Sequence, residues 1–265
     1  MTKSSKRQEF TVLNACRGNR AAGEWKVSKF PCSNCKKECL SELLGTYVLV
    51  LTGPASIILA GLVLGPQTFR ALGFVALSFG GTVAGLTFFL GKYSGAIINP
   101  ALTIGAKIAG LLEEGLLVPF LFFQTLGGIL AGLTLRLSLG AIDSGTNLGS
   151  TKFAFGLSPA LGFSLETAGT FALALSALIT SFQFRSLVGR ALFVGCVLFI
   201  LIILIGPFTG AGFNPARSLG PALASGYFGN LGLYLLAPCL GASAAGFAFR
   251  LSRSRWAKND SFRLR

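Results

Sequence analysis

Ser94-Gly95-Ala96-Ile97-Ile98-Asn99-Pro100-Ala101-Leu102-Thr103 and Thr209-Gly210-Ala211-Gly212-Phe213-Asn214-Pro215-Ala216-Arg217 share one plan: a glycine-bearing stretch, then Asn-Pro-Ala, then a short run. Asn favours the helix N-cap, and Pro suits the first helical position, where its missing N–H is not needed. Each tripeptide therefore opens a helix. The run behind the first, Asn99 to Gly110, covers about 18 Å at 1.5 Å per residue, roughly half a bilayer core. The run behind the second extends to Ala224. Neither can span; each must enter the membrane and return.

The rest of the chain supplies that membrane setting. Only 12% of the 265 residues are charged and 52% are hydrophobic, against about a quarter charged in soluble domains. Long apolar runs cover about Leu40–Leu64, Ala71–Leu90, Leu116–Leu135, Leu157–Ser181, a fifth reaching Ile205, and Leu231–Phe249. Gly65-Pro66 and Gly206-Pro207 read as stops. The expected fold is an all-α membrane protein with six transmembrane helices plus two re-entrant half-helices. The membrane domain is residues 39–250, between Cys-containing basic tail 1–38 and basic tail 251–265.

The formal charge of +14 lies mostly at the ends, with nine Lys/Arg in residues 1–38 and six in 250–265. This excludes a nucleic-acid surface and fits tails held in the cytoplasm by the positive-inside rule. The loop with Arg185 and Arg190 joins them, and the far-side loops hold only Arg70, Arg136, Asp143 and Lys152. The first 38 residues have no apolar core, so no signal peptide is expected. The chain has no His, which removes His acid–base catalysis and His metal ligands. Cys16, Cys32, Cys35 and Cys39 leave three readings open: reduced thiols, a metal site, or lipidation. Cys196 and Cys239 read as small core residues. No cofactor is expected.

The chain repeats. Ser41-Glu42-Leu43-Leu44-Gly45-Thr46 matches Leu165-Glu166-Thr167-Ala168-Gly169-Thr170 at an interval of 124, and the tripeptides lie 115 apart. The halves, about 39–136 and 157–250, each read as acid-bearing span, span, half-helix, span. Three spans per half is odd, so the second half is inverted. Such repeats place a site at the midplane, where broken helices meet.

Two helix N-termini then face each other, each with about half a positive charge and unpaired N–H groups. Carbonyls of Gly95, Ala96, Ile97, Ile98, Gly210, Gly212 and Phe213 are candidate pore-lining acceptors. Asn99 and Asn214 are candidate donors at the centre, within the boxes Asn99-Pro100-Ala101 and Asn214-Pro215-Ala216. The positive ends would repel cations, and protons with them. Arg217 reads either as a functional charge near the outer mouth or as a structural Arg bonded to loop carbonyls. Glu42 and Glu166 read either as proton carriers or, the favoured reading, as acceptors that brace the re-entrant loops.

With both Asn-Pro-Ala boxes and both Glu-x-x-x-Thr starts, residues 40–250 resemble the aquaporin (major intrinsic protein) family. The resemblance implies a pore in each protomer of a homotetramer in the cell membrane, with both termini cytoplasmic. It also implies a four-residue filter, matched by Phe79, Ile202, Ala211 and Arg217, a set most similar to archaeal-type aquaporins. Water-selective members usually have His where Ile202 stands. Ser218 resembles the water branch, since glycerol facilitators usually have Asp there. Family members usually carry His at the position of Ile97, bonded to the acid of the fourth span, so Glu166 needs another partner, while Thr209 is available to Glu42. The implied function is a passive channel for water and small neutral solutes such as glycerol, hydrogen sulfide or carbon dioxide. The partners are water, those solutes and membrane lipid, and no nucleic acid. The rivals are a proton-coupled secondary transporter and a membrane anchor for the Cys-bearing tail.

Overall fold

The computed structural model describes residues 35–65, 68–143, 145–184 and 186–263, with side chains through Arg253. Cys16, Cys32, Arg185 and the first 34 residues of the basic tail lie outside the described residues. Eight α-helices follow in order: α1 Cys35–Val63, α2 Phe69–Leu90, α3 Pro100–Ile108, α4 Leu117–Leu139, α5 Pro159–Gln183, α6 Leu187–Thr209, α7 Pro215–Ser225 and α8 Leu231–Arg263. Six are long and apolar enough to cross a membrane. The other two have 9 and 11 residues. Laid end to end, α3 and α7 cover about 30 Å, one bilayer core.

Local sequence sets most boundaries. Thr68, Ser158 and Ser186 cap α2, α5 and α6 by accepting from the N–H of Ala71, Leu161 and Gly189. Asn99 and Asn214 do the same for the half-helices, each with Pro at the first position. Two ends differ from expectation. Gly206-Pro207 does not stop the fifth span. Pro207 lies inside α6, which runs on to Thr209 and closes at Gly210 with φ +74°. A proline in the last turn removes one N–H, and the helix loses little there. The last helix also continues past Phe249 to Arg263, because no Gly or Pro interrupts that stretch.

Apolar residues cover the outside as well as filling the inside, and a set of polar residues is buried among them. Val63, Phe69, Leu77, Phe89, Val118 and Leu137 are exposed, while Glu42, Gln124, Glu166, Asn99, Asn214 and Arg217 are buried. Cys196 is exposed on α6 and so is not the core residue expected, whereas Cys239 on α8 is half-buried and packs against a core cluster. The reason is physical: where the solvent is lipid, an apolar run no longer distinguishes core from surface.

Small residues let the helices cross closely. A Cβ added to Gly80 would lie 2.6 Å from the Gly195 carbonyl oxygen, and one on Gly195 would lie 2.6 Å from that of Gly80. This joins α2 to α6. Each half-helix packs on the last span of the opposite half. Gly105 of α3 meets Ala242 of α8, and Gly128 of α4 meets Ala216 of α7, both 2.6 Å from an added Cβ to the carbonyl oxygen. The two halves are thus interlocked, and the N-termini of α3 and α7 meet inside.

Candidate functional site

The stretches leading into the two half-helices have the same backbone. Gly95, Ala96 and Ile98 have φ of +87°, +51° and +44°, and Gly210, Ala211 and Phe213 have +74°, +48° and +49°. Non-glycine residues with positive φ are uncommon, and a β-branched residue such as Ile98 is a true outlier. Something must hold these loops, and two buried acids do. Glu42 accepts from the Ser94 hydroxyl at 2.5 Å, the Ile97 and Ile98 N–H at 3.0 and 2.6 Å, and Gln124 Nε2 at 2.6 Å. Glu166 accepts from the Thr209 hydroxyl at 2.6 Å and the Gly212 and Phe213 N–H at 2.9 and 2.8 Å.

Each acid therefore ties the loop of its own half. This corrects the expected pairing of Thr209 with Glu42: Thr209 belongs to Glu166, and Ser94 takes the corresponding place beside Glu42. The lack of His at position 97 leaves no gap at Glu166, because Thr209, Gly212 and Phe213 of its own half supply its donors, while the Ile97 N–H goes to Glu42. Tyr234 adds a further tie, donating from its hydroxyl to the Thr209 carbonyl at 2.5 Å.

The two loops are then joined across the molecular centre. Asn99 Oδ1 accepts from the Ala101 N–H at 2.9 Å, and its Nδ2 donates to the Phe213 carbonyl at 2.9 Å. Asn214 Oδ1 accepts from the Ala216 N–H at 3.0 Å, and its Nδ2 donates to the Ile98 carbonyl at 2.9 Å. Each asparagine caps its own half-helix and grips the opposite loop. An amide NH2 has two hydrogens, so one N–H of each remains beyond this exchange. Of the carbonyls singled out in the sequence, those of Ile98 and Phe213 accept from the asparagines. Those of Gly95, Ala96, Ile97, Gly210 and Gly212 take no hydrogen bond from the described residues.

Phe79, Ile202 and Ala211 lie in one buried apolar cluster with Phe213, Ile98 and Val83. Arg217 is 2% exposed. Its guanidinium carbon lies 5.1 Å from the Phe79 ring centroid, and its Nη1 donates to the Gly149 carbonyl at 2.9 Å. Its Nε has no partner among the described residues. Both readings of Arg217 thus keep a foothold: one face is bonded to a loop carbonyl and the other is unspent.

Of the candidate metal ligands, Cys35 is half-buried and Cys39 buried on α1. No group of three or more His, Cys, Asp or Glu is placed to hold a metal among the described residues. Sequence reasoning missed Ser94 and Gln124. Ser94 stands 115 before Thr209, the tripeptide interval, and could have been found from it. Gln124 is the one amide side chain within α4.

The chain matches known proteins over most of its length. Residues 29–249 match the family model described as Major intrinsic protein. The chain is 33% identical over 224 residues to Aquaporin NIP1-1 of Arabidopsis thaliana, covering 82% of this chain and 74% of that protein. It is 31% identical over 223 residues to Glycerol uptake facilitator protein-like 6 of Lactiplantibacillus plantarum, covering 82% and 99% respectively. Among solved structures, the aquaglyceroporin from Plasmodium falciparum superposes with a TM-score of 0.73 at 22% identity, covering 84% of this chain and 98% of that one. That likeness bears on the fold. Paired boxes, six spans and two half-helices, together with these matches, lead to one conclusion: the chain belongs to the major intrinsic protein (aquaporin) family and is a multi-pass membrane channel for water and small solutes, not an enzyme.

Proposed function

We propose that the protein conducts water and small neutral solutes, glycerol among them, in single file between the N-termini of α3 and α7, and excludes ions and protons. The observation that carries this reading is the reciprocal exchange between the boxes, Asn99 to the Phe213 carbonyl and Asn214 to the Ile98 carbonyl. It fixes two positive helix ends face to face. The unspent amide hydrogens can donate to a passing oxygen, and the carbonyls of Gly95–Ile97 and Gly210–Gly212 can accept from it. A cation meets like charge at the centre. Phe79, Ile202, Ala211 and Arg217 form the selecting constriction. Ala211 is small and Ile202 apolar, so the constriction admits more than water. Hydrogen sulfide and carbon dioxide belong to the same class of neutral cargo. Protomers assemble as homotetramers in the cell membrane, in contact with lipid, with both termini in the cytoplasm.

A proton-coupled transporter needs an acid that exchanges protons during transport. Glu42 and Glu166 instead face hydroxyl, amide and backbone N–H donors and act as acceptors for the loops. Osmotic shrinkage of proteoliposomes, followed by stopped-flow light scattering, separates the two. The channel reading predicts fast water efflux and glycerol flux that rises linearly with concentration and ignores an imposed pH gradient. Flux that saturates and follows the pH gradient would overturn it in favour of the transporter.

A further inference from the structure

The loop after α4 ends in a tight construction that nothing in the boxes requires. Asp143 Oδ1 accepts from the N–H and the hydroxyl of Thr146 at 3.1 and 2.5 Å, and Oδ2 accepts from the Leu148 N–H at 2.8 Å. Thr146 Oγ1 in turn accepts from the Gly149 N–H at 3.1 Å. Asn147, Leu148 and Gly149 have φ of +53°, +55° and +69°. Three consecutive left-handed residues, two of them not glycine, do not persist without such a clasp.

The turn is also fixed from outside. Leu148 is buried with Ile58 and Leu135. Gly149 lies so close to α1 that an added Cβ would be 2.8 Å from Pro54 Cα. The Ser150 hydroxyl lies 3.2 Å from that of Ser225 at the end of α7. The product of all this is one group, the Gly149 carbonyl, presented to Arg217 Nη1 at 2.9 Å.

We propose that Asp143, acting through Thr146, is a positioning residue for Arg217 and thereby sets the size of solute the channel passes. The clasp aims the Gly149 carbonyl, and that carbonyl draws the guanidinium back from the opening and over Phe79. Once the clasp is undone, Arg217 turns to the remaining acceptors and waters in the opening and narrows it. Larger solutes then lose more than water does. The inference rests on the reading of Arg217 as part of the constriction.

The test measures permeability to formamide, urea and glycerol relative to water in proteoliposomes of matched protein content. Asp143→Ala and Thr146→Val are expected to lower the glycerol-to-water ratio about fivefold, the scale of one net hydrogen bond. Thr146→Ser keeps the hydroxyl and should hold the ratio near wild type, while Asp143→Asn keeps the Oδ1 acceptor but sets an NH2 against the Leu148 N–H and should give a ratio between wild type and Asp143→Ala. In an Arg217→Val background, Asp143→Ala should change the ratio no further. Equal proportional losses of water and solutes would mean a merely structural clasp and overturn the proposal, as would an unchanged ratio in both disrupting variants. If Arg217→Val itself leaves the ratio at wild type, the constriction reading has failed, and that outcome is separate from a failure confined to Asp143.

Discussion

Ser94 and Thr209 show what one side chain does in this fold. They hold equivalent places in the two halves, and each hydroxyl donates to the acid of its own half. The acids, the asparagines and their interval were legible in the sequence. The pairing was not, because proximity across an inverted repeat depends on which loop folds back under which span. Ile97 is the instructive case. Without His there Glu166 looked short of a partner, yet its donors come from its own half, and Ile97 serves Glu42 through its backbone N–H, which every residue type but Pro supplies. Ile202 is different, since the proposed constriction rests on its side chain. It is buried with Phe79 and Ala211 and gives a passing solute no polar contact. His at that position adds a ring nitrogen to the constriction and fills space beside Ala211. Ile202→His should therefore cut glycerol flux more than water flux in the same vesicles. Equal loss of both would show that Ile202 does not set the selection.

At the scale of the element, the half-helices are held by close crossings. A Cβ at position 128 would meet the Ala216 carbonyl at 2.6 Å and its methyl at 3.2 Å, so a methyl group there forces α4 and α7 apart. Gly128→Ala should destabilise the fold by about 1–3 kcal/mol, the usual cost of overpacking. Gly232 has nothing within 4 Å of an added Cβ, so Gly232→Ala is the control. Thermal unfolding in detergent should show a lower midpoint for the first and none of that loss for the second; equal midpoints would show that the crossing relaxes. The spans were readable from apolar length, and the half-helices from their caps and their shortness. Helix ends were harder. Gly206-Pro207 carries a strong stop signal, yet the helix absorbs it in its last turn and ends at Gly210. The exposed Cys196 was unreadable for another reason: α6 is apolar on every face, and only packing tells which face meets α2.

At the scale of the whole molecule, an even number of crossings by the six long apolar helices puts both ends of the described chain on one side, and the proposed choice of side rests on charge. Lys36, Lys37, Lys92, Lys107, Arg190, Arg250 and Arg253 fall on that side, while Arg70, Arg136 and Lys152 fall on the other. Each basic residue near an anionic cytoplasmic leaflet gains about 1 kcal/mol, so this imbalance supports the proposed orientation with both ends in the cytoplasm. The continuation of α8 to Arg263 carries further positive charge away from the apolar span on the same side. Orientation matters for function because Arg217 and its loop lie toward the Arg136 and Lys152 side, so in the proposed orientation the proposed constriction is the outer mouth. An epitope inserted between Phe155 and Gly156 should be stained on intact cells, and one appended after Arg265 only after the membrane is permeabilised. The opposite pattern would turn the constriction toward the cytoplasm and leave the basic residues on the wrong face, a result the charge argument does not survive.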